Sequence, residues 1–274
     1  MNITSKPNPR EHFSSFMNLL NSKKPFTFIR FSDGEVEVLR NRRLLISNKK
    51  TFFRGKFYSN NYPEMDTKIF DPLIDQQFRG DLLDASIFKS DFFYKGIRTF
   101  SINDTESIFD REFLLRLNGG FDRQITFSDL LINENYLQFR SKMFPLVLNN
   151  FKTIVVVSNW RSVIKFKCHQ HIKVCDNFIK NYNNQLTSII DALINIPLDA
   201  VVLCSASSLT NILGHKLYLL RPDITFLDVG TSINDLFSLE NDTRVYHKLL
   251  NKFKNYSTPL KFLNLLINDL LIRW

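Results

Sequence analysis

The segment "DAVVLCSASSLTNILGHKLYLLRPDITFLDVG" (residues 199–230) decides the fold class of this chain. Apolar, β-branched runs predict strands over 199–205 and 223–230, and the spacing between them predicts a helix over 208–220. Two strands joined by a helix run parallel and form one βαβ unit. Parallel sheets are covered by helices on both faces, which explains why both strands are apolar along most of their length.

The same alternation extends back to residue 152. Strands are predicted over 152–158 ("KTIVVVS") and 171–176 ("HIKVCD"), with helices over 160–168 and 183–195. This order indicates an α/β fold with a doubly wound, mostly parallel sheet. No internal repeat, low-complexity tract or flexible linker interrupts the sequence, so we expect residues 1–274 to form a single Rossmann-like domain with added N- and C-terminal helices.

The pattern is less regular before residue 150. A helix is predicted over 9–22, a strand over 25–31 ("PFTFIRF"), and a helix that begins at the triplet Asp33-Gly34-Glu35. Further helices are predicted, over the ranges 65–80, 104–117 and 130–149.

Composition excludes several classes of protein. With 44% hydrophobic and 23% charged residues, the chain is globular rather than disordered. An N-terminus without an apolar segment, no apolar run of about 18 residues and three cysteines without C-x-x-C spacing predict a cytoplasmic protein with free thiols. The net charge of +9 is scattered along the chain and accompanies no nucleic-acid-binding module, so we expect no nucleic acid partner.

Polar residues collect directly after the predicted strands. Open parallel sheets bind ligands outside the carboxyl ends of their strands, so these residues are the candidates for a site. They are Arg30, Asp33, Glu35, Ser158, Trp160, Arg161, Ser205, Ser207, Ser208, Asp228 and Asp235.

Asp33 and Glu35 flank Gly34 where the first strand ends. Two carboxylates in D-x-E spacing suit Mn²⁺ or Mg²⁺, which in turn would hold a diphosphate. Glycine between them lets the backbone turn sharply or approach a ligand closely. The alternative needs no ligand, because Asp33 would cap a helix and Glu35 would interact with the helix dipole. The spacing alone leaves both interpretations open.

Each other candidate also has a purely structural alternative. Arg30 would form a surface ion pair with Glu37 or Asp33. Asp228 and Asp235 would cap loops. Trp160 and Arg161 would belong to an ordinary strand-to-helix turn with a half-buried Trp.

Three segments carry a resemblance to a known family. "IRFSDGE" (29–35) resembles the R-x-G-D-G-E segment of GT-D-type bacterial glycosyltransferases, in which a D-x-E pair binds the metal and the sugar nucleotide. "FLDVGTSIND" (226–235) resembles the family block D-[IV]-G-(H or S)-x-x-D. The stretch 199–220 is similar to the strand, small-residue turn and helix that precede this block. The three occur in the order that the family has, whereas the middle third of the chain shows no resemblance.

The sequence departs from the family pattern at four places. Ser32 replaces the usual glycine, "CSASS" (204–208) replaces a Gly-Pro turn, Thr231 stands where some members have His, and Asn234 falls where the second Asp usually lies. The "CSASS" turn still offers hydroxyl and N-H groups at a helix N-terminus, which is a site suited to anions.

The resemblance implies roles for the candidate residues. Asp33 and Glu35 would be metal and diphosphate ligands, and Arg30 would neutralise phosphate charge. Asp228 and Asp235 would bind donor hydroxyls, or one would act as the base. The implied donor-binding set is Arg30, Ser158, Trp160, Arg161, Ser205, Ser207, Ser208 and Asn234.

These observations predict a glycosyltransferase, a hexosyltransferase, that takes a sugar from a nucleoside-diphosphate donor, expected to be UDP-linked, and passes it to the hydroxyl of a carbohydrate or glycoconjugate acceptor. Two alternatives stay open: another Rossmann-like nucleotide or sugar-phosphate enzyme, acting as hydrolase or phosphotransferase, and a non-catalytic nucleotide-sugar-binding protein. Neither G-x-G-x-x-G nor a P-loop motif is present, which disfavours dinucleotide oxidoreductases and P-loop enzymes.

Two further segments have competing interpretations. "KCHQHIKVC" (167–175) offers at most three converging zinc ligands, His169, His171 and Cys175, and a strand edge with half-buried histidines is the favoured alternative. "LKFLNLLINDLLIRW" (260–274) places apolar residues on one face of a predicted helix, which would dock on the core, on a second subunit in a homodimer, or on a membrane surface.

Overall fold

The computed structural model describes residues 9–47, 50–59, 68–99, 105–237 and 246–247. The described strands are β1 (Thr27–Arg30), β2 (Leu44–Ile46), β3 (Lys50–Phe53), β4 (Lys56–Ser59), β5 (Lys68–Phe70), β6 (Phe93–Ile97), β7 (Ile125–Phe127), β8 (Thr153–Asn159), β9 (Gln170–Val174), β10 (Ala200–Ser205) and β11 (Thr225–Asp228).

Helices connect most of these strands. The described α-helices are α1 (Pro9–Asn21), α2 (Asp33–Leu39), α3 (Gln76–Ile87), α4 (Thr105–Leu117), α5 (Tyr136–Gln138), α6 (Phe144–Asn150), α7 (Tyr182–Ile194) and α8 (Leu209–Leu220). Three 3-10 helices (Asn133–Asn135, Phe178–Asn181 and Gly230–Leu236) and one π-helical segment (Phe139–Met143) complete the set in the described ranges.

Seven strands form one parallel sheet in the order β7-β6-β1-β11-β10-β8-β9. Every pair of neighbours in this sheet is parallel, including β1 with both β6 and β11. All seven strands therefore end at the same edge. The predicted α/β class, with a parallel sheet between helices, is confirmed.

The two faces of the sheet bury different side chains because residues alternate along a strand. On β1, Ile29 lies in the hydrophobic core formed with α2, α3, α4, α7 and α8, whereas Phe28 lies in the core formed with α1, α5 and α6. Val202 and Val201 on β10 divide in the same way. Both faces of the sheet are buried, which is why the strands of the second half are continuous apolar runs in the sequence.

The predicted helix over 160–168 is wrong. In this stretch the backbone N-H groups of Val163 and Lys165 donate to the carbonyls of Phe237 (2.8 Å) and Leu236 (2.9 Å), outside any helix. Ile164, Phe166 and Cys168 pack against the core, a spacing of two residues rather than the spacing of a helix. The long-range hydrogen bonds replace those that a helix would have supplied.

The middle of the chain differs most from the prediction. The helix predicted over 65–80 is wrong in its placement, because β5 ends at Phe70 and α3 begins only at Gln76. A turn separates them, in which the Asp71 carboxylate accepts a hydrogen bond from the N-H of Leu73 at 2.9 Å. Strands β2 to β5 form an additional antiparallel sheet in the order β4-β3-β2-β5, which the sequence did not predict. Strands β6 and β7 were also missed.

The helix predicted over 130–149 is present in interrupted form. It consists of a 3-10 turn, α5, the π-helical segment and α6. Pro145 lies in the first turn of α6 and has no N-H to continue an α-helical hydrogen-bond series through this point.

The apolar stripe predicted over 260–274 lies outside the described residues. Within the ranges that the structure describes, no helix has the length and apolar character needed to cross a membrane.

Candidate active site

The chain leaves neighbouring strands toward opposite faces of the sheet, and this opens crevices at the carboxyl edge. After β1 the chain enters α2, which packs on one face, whereas after β11 it enters the 3-10 helix Gly230–Leu236, which packs on the other. The same divergence occurs between β10, followed by α8, and β8, followed by the segment with Ile164 and Phe166. Such divergences are where open α/β sheets bind ligands. We call them the β1–β11 crevice and the β8–β10 crevice.

The predicted acid pair lies at the β1–β11 crevice. Asp33 is the first residue of α2, and its side chain is 51% exposed. Glu35 is buried, and its Oε2 atom accepts a hydrogen bond from the N-H of Ser32 at 2.9 Å, which is half of a helix capping box. A Cβ added at Gly34 would meet no atom within 4 Å, so the space beside the pair is open. The alternative in which Asp33 caps the helix is wrong, because Ser32 is the N-cap residue, whereas one oxygen of Glu35 does make a capping bond. Asp33 Oδ1 accepts the N-H of Gly34 at 3.0 Å, so these bonds leave the other oxygen of Glu35 and Asp33 Oδ2 unused.

Burial raises the pKa of Glu35, and the nearby carboxylates of Asp33 and Asp228 raise it further, against the hydrogen bond from Ser32. The carboxylates of Asp33 and Asp228 disfavour an ionised Glu35, and a positive charge between acidic groups would relieve such repulsion. The electrostatics of the crevice thus favour an added positive charge.

Arg30 and Asp228 form a buried ion pair across β1 and β11. The Arg30 Nη2 atom lies 2.9 Å from Asp228 Oδ1, and the backbone N-H of Arg30 donates to Oδ2 at 3.1 Å. Burial raises the pKa of Asp228, and the guanidinium of Arg30 acts against that rise. The structural alternative for Arg30, a pair with Glu37 or Asp33, is wrong, because Asp228 is its partner.

The same guanidinium requires Gly230. This glycine has a φ of +43°, and a Cβ at this position would lie 2.7 Å from the Cζ atom of Arg30. Arg30 Nη1 also donates to the carbonyl of Ser128 at 3.1 Å, just after β7. The "DVG" sequence after the last strand therefore supplies both the counter-ion and the space for Arg30.

The β8–β10 crevice contains four predicted residues: Ser158, Trp160, Arg161 and Ser205. Ser158 is fully buried and hydrogen-bonds His171 Nε2 at 2.9 Å. The indole N-H of Trp160 donates to Asp176 at 3.0 Å, and half of the side chain surface stays exposed. Arg161 Nη2 lies 3.3 Å from Asp176. These contacts orient the loop, and they leave the ring of Trp160 open to solvent.

The serines after β10 differ in exposure. Ser205 is half-buried, Ser207 is exposed with a φ of +53°, and Ser208 is buried at the start of α8. The N-H of Ala206 donates to the hydroxyl of Thr210 at 3.0 Å, so a residue not singled out from the sequence stabilises this turn.

Asp235 and Asn234 lie in the 3-10 helix Gly230–Leu236. Asp235 Oδ2 lies 3.0 Å from Arg140 Nη2, and its Oδ1 atom is buried without a hydrogen-bond partner in the described ranges. Asn234 is buried. Arg140 belongs to the π-helical segment, a geometry that is frequent at functional sites.

Sequence reasoning missed three contributors to the crevices. Arg98 follows β6, and its Nη2 atom lies 3.5 Å from Asp33 Oδ2. Asn211 on α8 donates to the carbonyl of Arg30 at 2.7 Å, and Arg140 pairs with Asp235. In "FYKGIR" (93–98), Lys95 and Gly96 interrupt the apolar pattern, so periodicity does not identify Arg98 as a residue that follows a strand.

The histidine and cysteine segment does not form a metal site. His169 Nδ1 accepts the N-H of Ile154 at 3.0 Å, and His171 is bonded to Ser158. Among the residues that the structure describes, no group of three or more His, Cys, Asp or Glu side chains could hold a metal ion by itself.

Comparison with known proteins adds information about the fold. No protein-family model matches the sequence, and no curated protein matches it. A protein from Streptococcus sanguinis, described as a new glycosyltransferase (DUF1792), superposes with a TM-score of 0.52 at 13% identity, over 85% of this chain and 85% of that chain. A selenomethionine-substituted domain of unknown function 1792 superposes with a TM-score of 0.50 at 12% identity, over 80% of this chain and 77% of that chain. At these identities the similarity establishes a shared fold, and the chain therefore has the fold of these DUF1792 proteins.

Proposed function

We propose that this protein is a glycosyltransferase, a hexosyltransferase, that moves a sugar from a nucleoside-diphosphate donor, UDP-linked in our proposal, to the hydroxyl of a carbohydrate or glycoconjugate. One observation carries the proposal. Asp33 and Glu35 lie at the carboxyl end of β1, beside the buried Arg30–Asp228 pair, in a crevice where the chain diverges to both faces of the sheet.

The residues present fit a bound Mn²⁺ or Mg²⁺. Asp33 is exposed, and one oxygen of Glu35 is not used by the capping bond. Burial and the carboxylates of Asp33 and Asp228 raise the pKa of Glu35, and a cation bound beside it would act against that rise. Two carboxylates are too few for an all-protein cage, but Mg²⁺-type sites commonly combine one or two carboxylates with substrate phosphates. A cation bound there would offset the negative charge that grows on the diphosphate as the glycosidic bond breaks.

The other acidic and basic residues divide into two roles. Asp228 holds Arg30 in place through two hydrogen bonds, and Arg30 presents a fixed positive charge near the diphosphate. Both oxygens of Asp228 are used in bonds to Arg30, whereas Asp235 Oδ1 has no hydrogen-bond partner among the described residues, so we assign the base to Asp235. The Arg140 guanidinium orients this carboxylate.

The donor would extend along the carboxyl edge from the β1–β11 crevice toward β8. Three strand spacings separate β1 from β8, about 14 Å in all, which is close to the length of an extended nucleoside diphosphate. The exposed ring of Trp160 would then stack on the base. Arg161, Ser158, Ser205, Ser207, Ser208 and Asn234 complete the proposed donor-binding set.

The fold supports this proposal without deciding it. The Streptococcus sanguinis protein of the same fold is described as a glycosyltransferase, but folds host many activities and the site must carry the function. The experiment below therefore addresses the acid pair directly.

The test combines turnover with binding. Asp33→Asn and Glu35→Gln are assayed with UDP-sugars and Mn²⁺, with and without carbohydrate acceptors, next to the control Asp91→Asn, which changes an exposed acid before β6. We expect each site variant to lose at least about 100-fold in transfer rate, with thermal unfolding unchanged, and the control to retain full rate. Full activity of both site variants, or in excess chelator, would contradict the metal role.

The same assay separates the alternatives. Release of sugar or phosphate that needs no acceptor would identify a hydrolase or phosphotransferase. Donor binding without turnover under any acceptor condition would identify a binding protein. Transfer of label to an acceptor sugar supports the proposed reaction.

A further inference from the structure

Arginines concentrate beside the acid pair, where the additional antiparallel sheet meets the carboxyl end of β6. Arg40 follows α2, Arg54 lies in the turn between β3 and β4, and Arg98 follows β6. All three lie around Asp110 of α4. Burial raises the pKa of Asp110, and the charges of Arg54, Arg40 and Arg98 act against that rise.

Asp110 is neutralised without Arg98. Arg54 Nη2 lies 2.6 Å from Asp110 Oδ2, and Arg40 Nη1 lies 3.2 Å from Oδ1, while the Asp110 side chain is only 1% exposed. Arg54 also pairs with Glu106. Two guanidinium groups thus already form ion pairs with this buried carboxylate, although its Oδ1 atom has no hydrogen-bond partner among the described residues. In the same ranges, the ion-pair partner of Arg98 is Asp33 and not Asp110.

Arg98 instead faces Asp33, the outer member of the acid pair. The distance between Arg98 Nη2 and Asp33 Oδ2 is 3.5 Å, which is long for a charged hydrogen bond. The Nε atom of Arg98 is buried and has no hydrogen-bond acceptor among the described residues, and the same holds for Arg54 Nε. A buried N-H donor without an acceptor is costly. Arg54 pairs with two carboxylates, whereas Arg98 has only the long contact with Asp33, so Arg98 is the guanidinium that is short of negatively charged oxygen.

Phosphate is the ligand chemistry that matches this deficit. Its oxygens accept paired hydrogen bonds from a guanidinium, which a single distant carboxylate oxygen does not. Asp33, for its part, is the more exposed of the two proposed cation ligands. The same carboxylate therefore has two candidate partners, Arg98 and a divalent cation.

We propose that Arg98 binds a phosphate of the donor and holds Asp33 when no donor is present, so that nucleoside diphosphate frees Asp33 for the cation. This inference rests on the proposed function and adds to it a residue and an order of events. Diphosphate and cation would then promote each other's binding, because any coupling between two ligands is reciprocal. The antiparallel sheet has a part in this arrangement, since it supplies Arg54, which keeps Asp110 from competing for Arg98.

The experiment measures binding rather than turnover. Mn²⁺ alone, UDP alone and UDP with Mn²⁺ are titrated by calorimetry, with free Mn²⁺ followed by electron paramagnetic resonance, on the wild type, Arg98→Ala and Arg98→Lys. Arg123→Ala is the matched control, because Arg123 pairs with the exposed Asp91 and precedes β7, at the opposite edge of the sheet.

In Arg98→Ala we expect UDP affinity in the presence of Mn²⁺ to fall at least about tenfold, since charged hydrogen bonds to phosphate are lost. Mn²⁺ alone should bind about two- to fivefold more tightly, because the partly exposed ion pair no longer competes. The enhancement of Mn²⁺ binding by UDP should shrink accordingly. Arg98→Lys should recover part of the UDP affinity, and Arg123→Ala should change neither ligand.

Unchanged UDP affinity in Arg98→Ala, or weaker Mn²⁺ binding without UDP, would overturn the inference. If Arg98→Ala does not fold, the same criteria apply to Arg98→Lys, which keeps the charge but loses the paired donors. If the wild type binds neither UDP nor Mn²⁺, the proposed function itself fails, and this outcome is distinct from failure of the role of Arg98 alone.

Discussion

The two crevices at the carboxyl edge have the same architectural origin but differ in how their polar groups are used. In the β8–β10 crevice, Ser158 is bonded to His171, and Trp160 and Arg161 contact Asp176. In the β1–β11 crevice, Asp33 accepts the N-H of Gly34 and makes a long contact of 3.5 Å with Arg98. Burial and two nearby carboxylates raise the pKa of Glu35.

The difference shows that polar residues after neighbouring strands are not equivalent. Contacts within the protein satisfy most polar groups of the β8–β10 crevice, and these groups stabilise its loop. In the β1–β11 crevice, Glu35 lies near two other carboxylates, and Arg98 has only one long ion-pair contact. A metal ion can compensate the negative charge of the carboxylates, and a phosphate can compensate the positive charge of Arg98. Three predictions follow from this contrast, and each tests a different part of it.

The largest effect should come from breaking the buried pair of the β1–β11 crevice. Arg30→Met leaves Asp228 as a buried charge without its counter-ion, and such a loss costs about 3–5 kcal/mol. We expect this decrease in the free energy of unfolding in urea denaturation. Arg123→Met removes an exposed arginine and should cost no more than about 1 kcal/mol. A cost for Arg30→Met as small as that of the control would mean that the pair does not organise the crevice.

Lys95 is a second buried basic residue, but its hydrogen-bond partners are neutral, whereas Arg30 pairs with the carboxylate of Asp228. Lys95 on β6 is buried, and its Nζ atom donates to the carbonyls of Ser86 (2.9 Å) and Phe88 (2.7 Å) and to the side chain of Asn118. Burial lowers the pKa of Lys95 to about 8 from its ordinary value of 10.5. Between these two values the unfolded chain binds one more proton than the folded chain, so stability should rise with pH.

The rise across that window should amount to up to about 3 kcal/mol. It is measured as the free energy of unfolding from pH 7 to pH 10.5 in the wild type and in Lys95→Met, whose difference cancels the other titrating groups. We expect the free energy of unfolding of the wild type, relative to that of Lys95→Met, to rise by this amount across the window. Parallel curves for the two proteins would show that Lys95 keeps its ordinary pKa.

The smallest effect distinguishes the two kinds of residue inside the β8–β10 crevice. Trp160→Ala should weaken UDP binding about tenfold by loss of stacking, which contributes about 1–3 kcal/mol per base. Ser158→Ala should lower stability by about 1–2 kcal/mol, because His171 loses its partner. It should weaken UDP binding less than Trp160→Ala does, because the Ser158 hydroxyl is buried and already bonded to His171. Calorimetry and urea denaturation measure the two quantities. Equal UDP affinity in Trp160→Ala and the wild type would exclude the donor from this crevice.

The outcome of sequence reasoning varied along the chain for physical reasons. The βαβ order from β10 to β11 was predicted closely, because both strands are buried on two faces and α8 has helical spacing. The segment over 160–168 was wrongly predicted as a helix. Its backbone N-H groups bond to the carbonyls of Phe237 and Leu236, and contacts so distant in sequence are not visible in the local pattern. Strands β6 and β7 were missed because the pairing of β6 with β1 and of β7 with β6 is a tertiary contact that local sequence does not indicate.

The candidate site shows the same limit at the level of side chains. The sequence identified the acid pair, Arg30 and Asp228 from their positions after β1 and β11. It did not pair Arg30 with Asp228, which is 198 residues away. The sequence also did not predict that Arg98, Arg140 and Asn211 lie at the crevices. Arg98 and Arg140 belong to regions whose elements were predicted poorly, and Asn211 contacts a residue on another strand.

By itself, the sequence determined the class of the fold, the order of its second half and the chemistry available where strands end, since hydrophobic periodicity and local turn residues are encoded within a few positions. Only the tertiary structure decided which charges neutralise each other. In the structure Asp228 pairs with Arg30, and Asp110 pairs with Arg40 and Arg54. Asp33 and Arg98 make only a long ion-pair contact with each other. The strength of an ion pair depends on the distance between its charges and on their burial. Both are set by segments that are far apart in the sequence, so local sequence does not determine them.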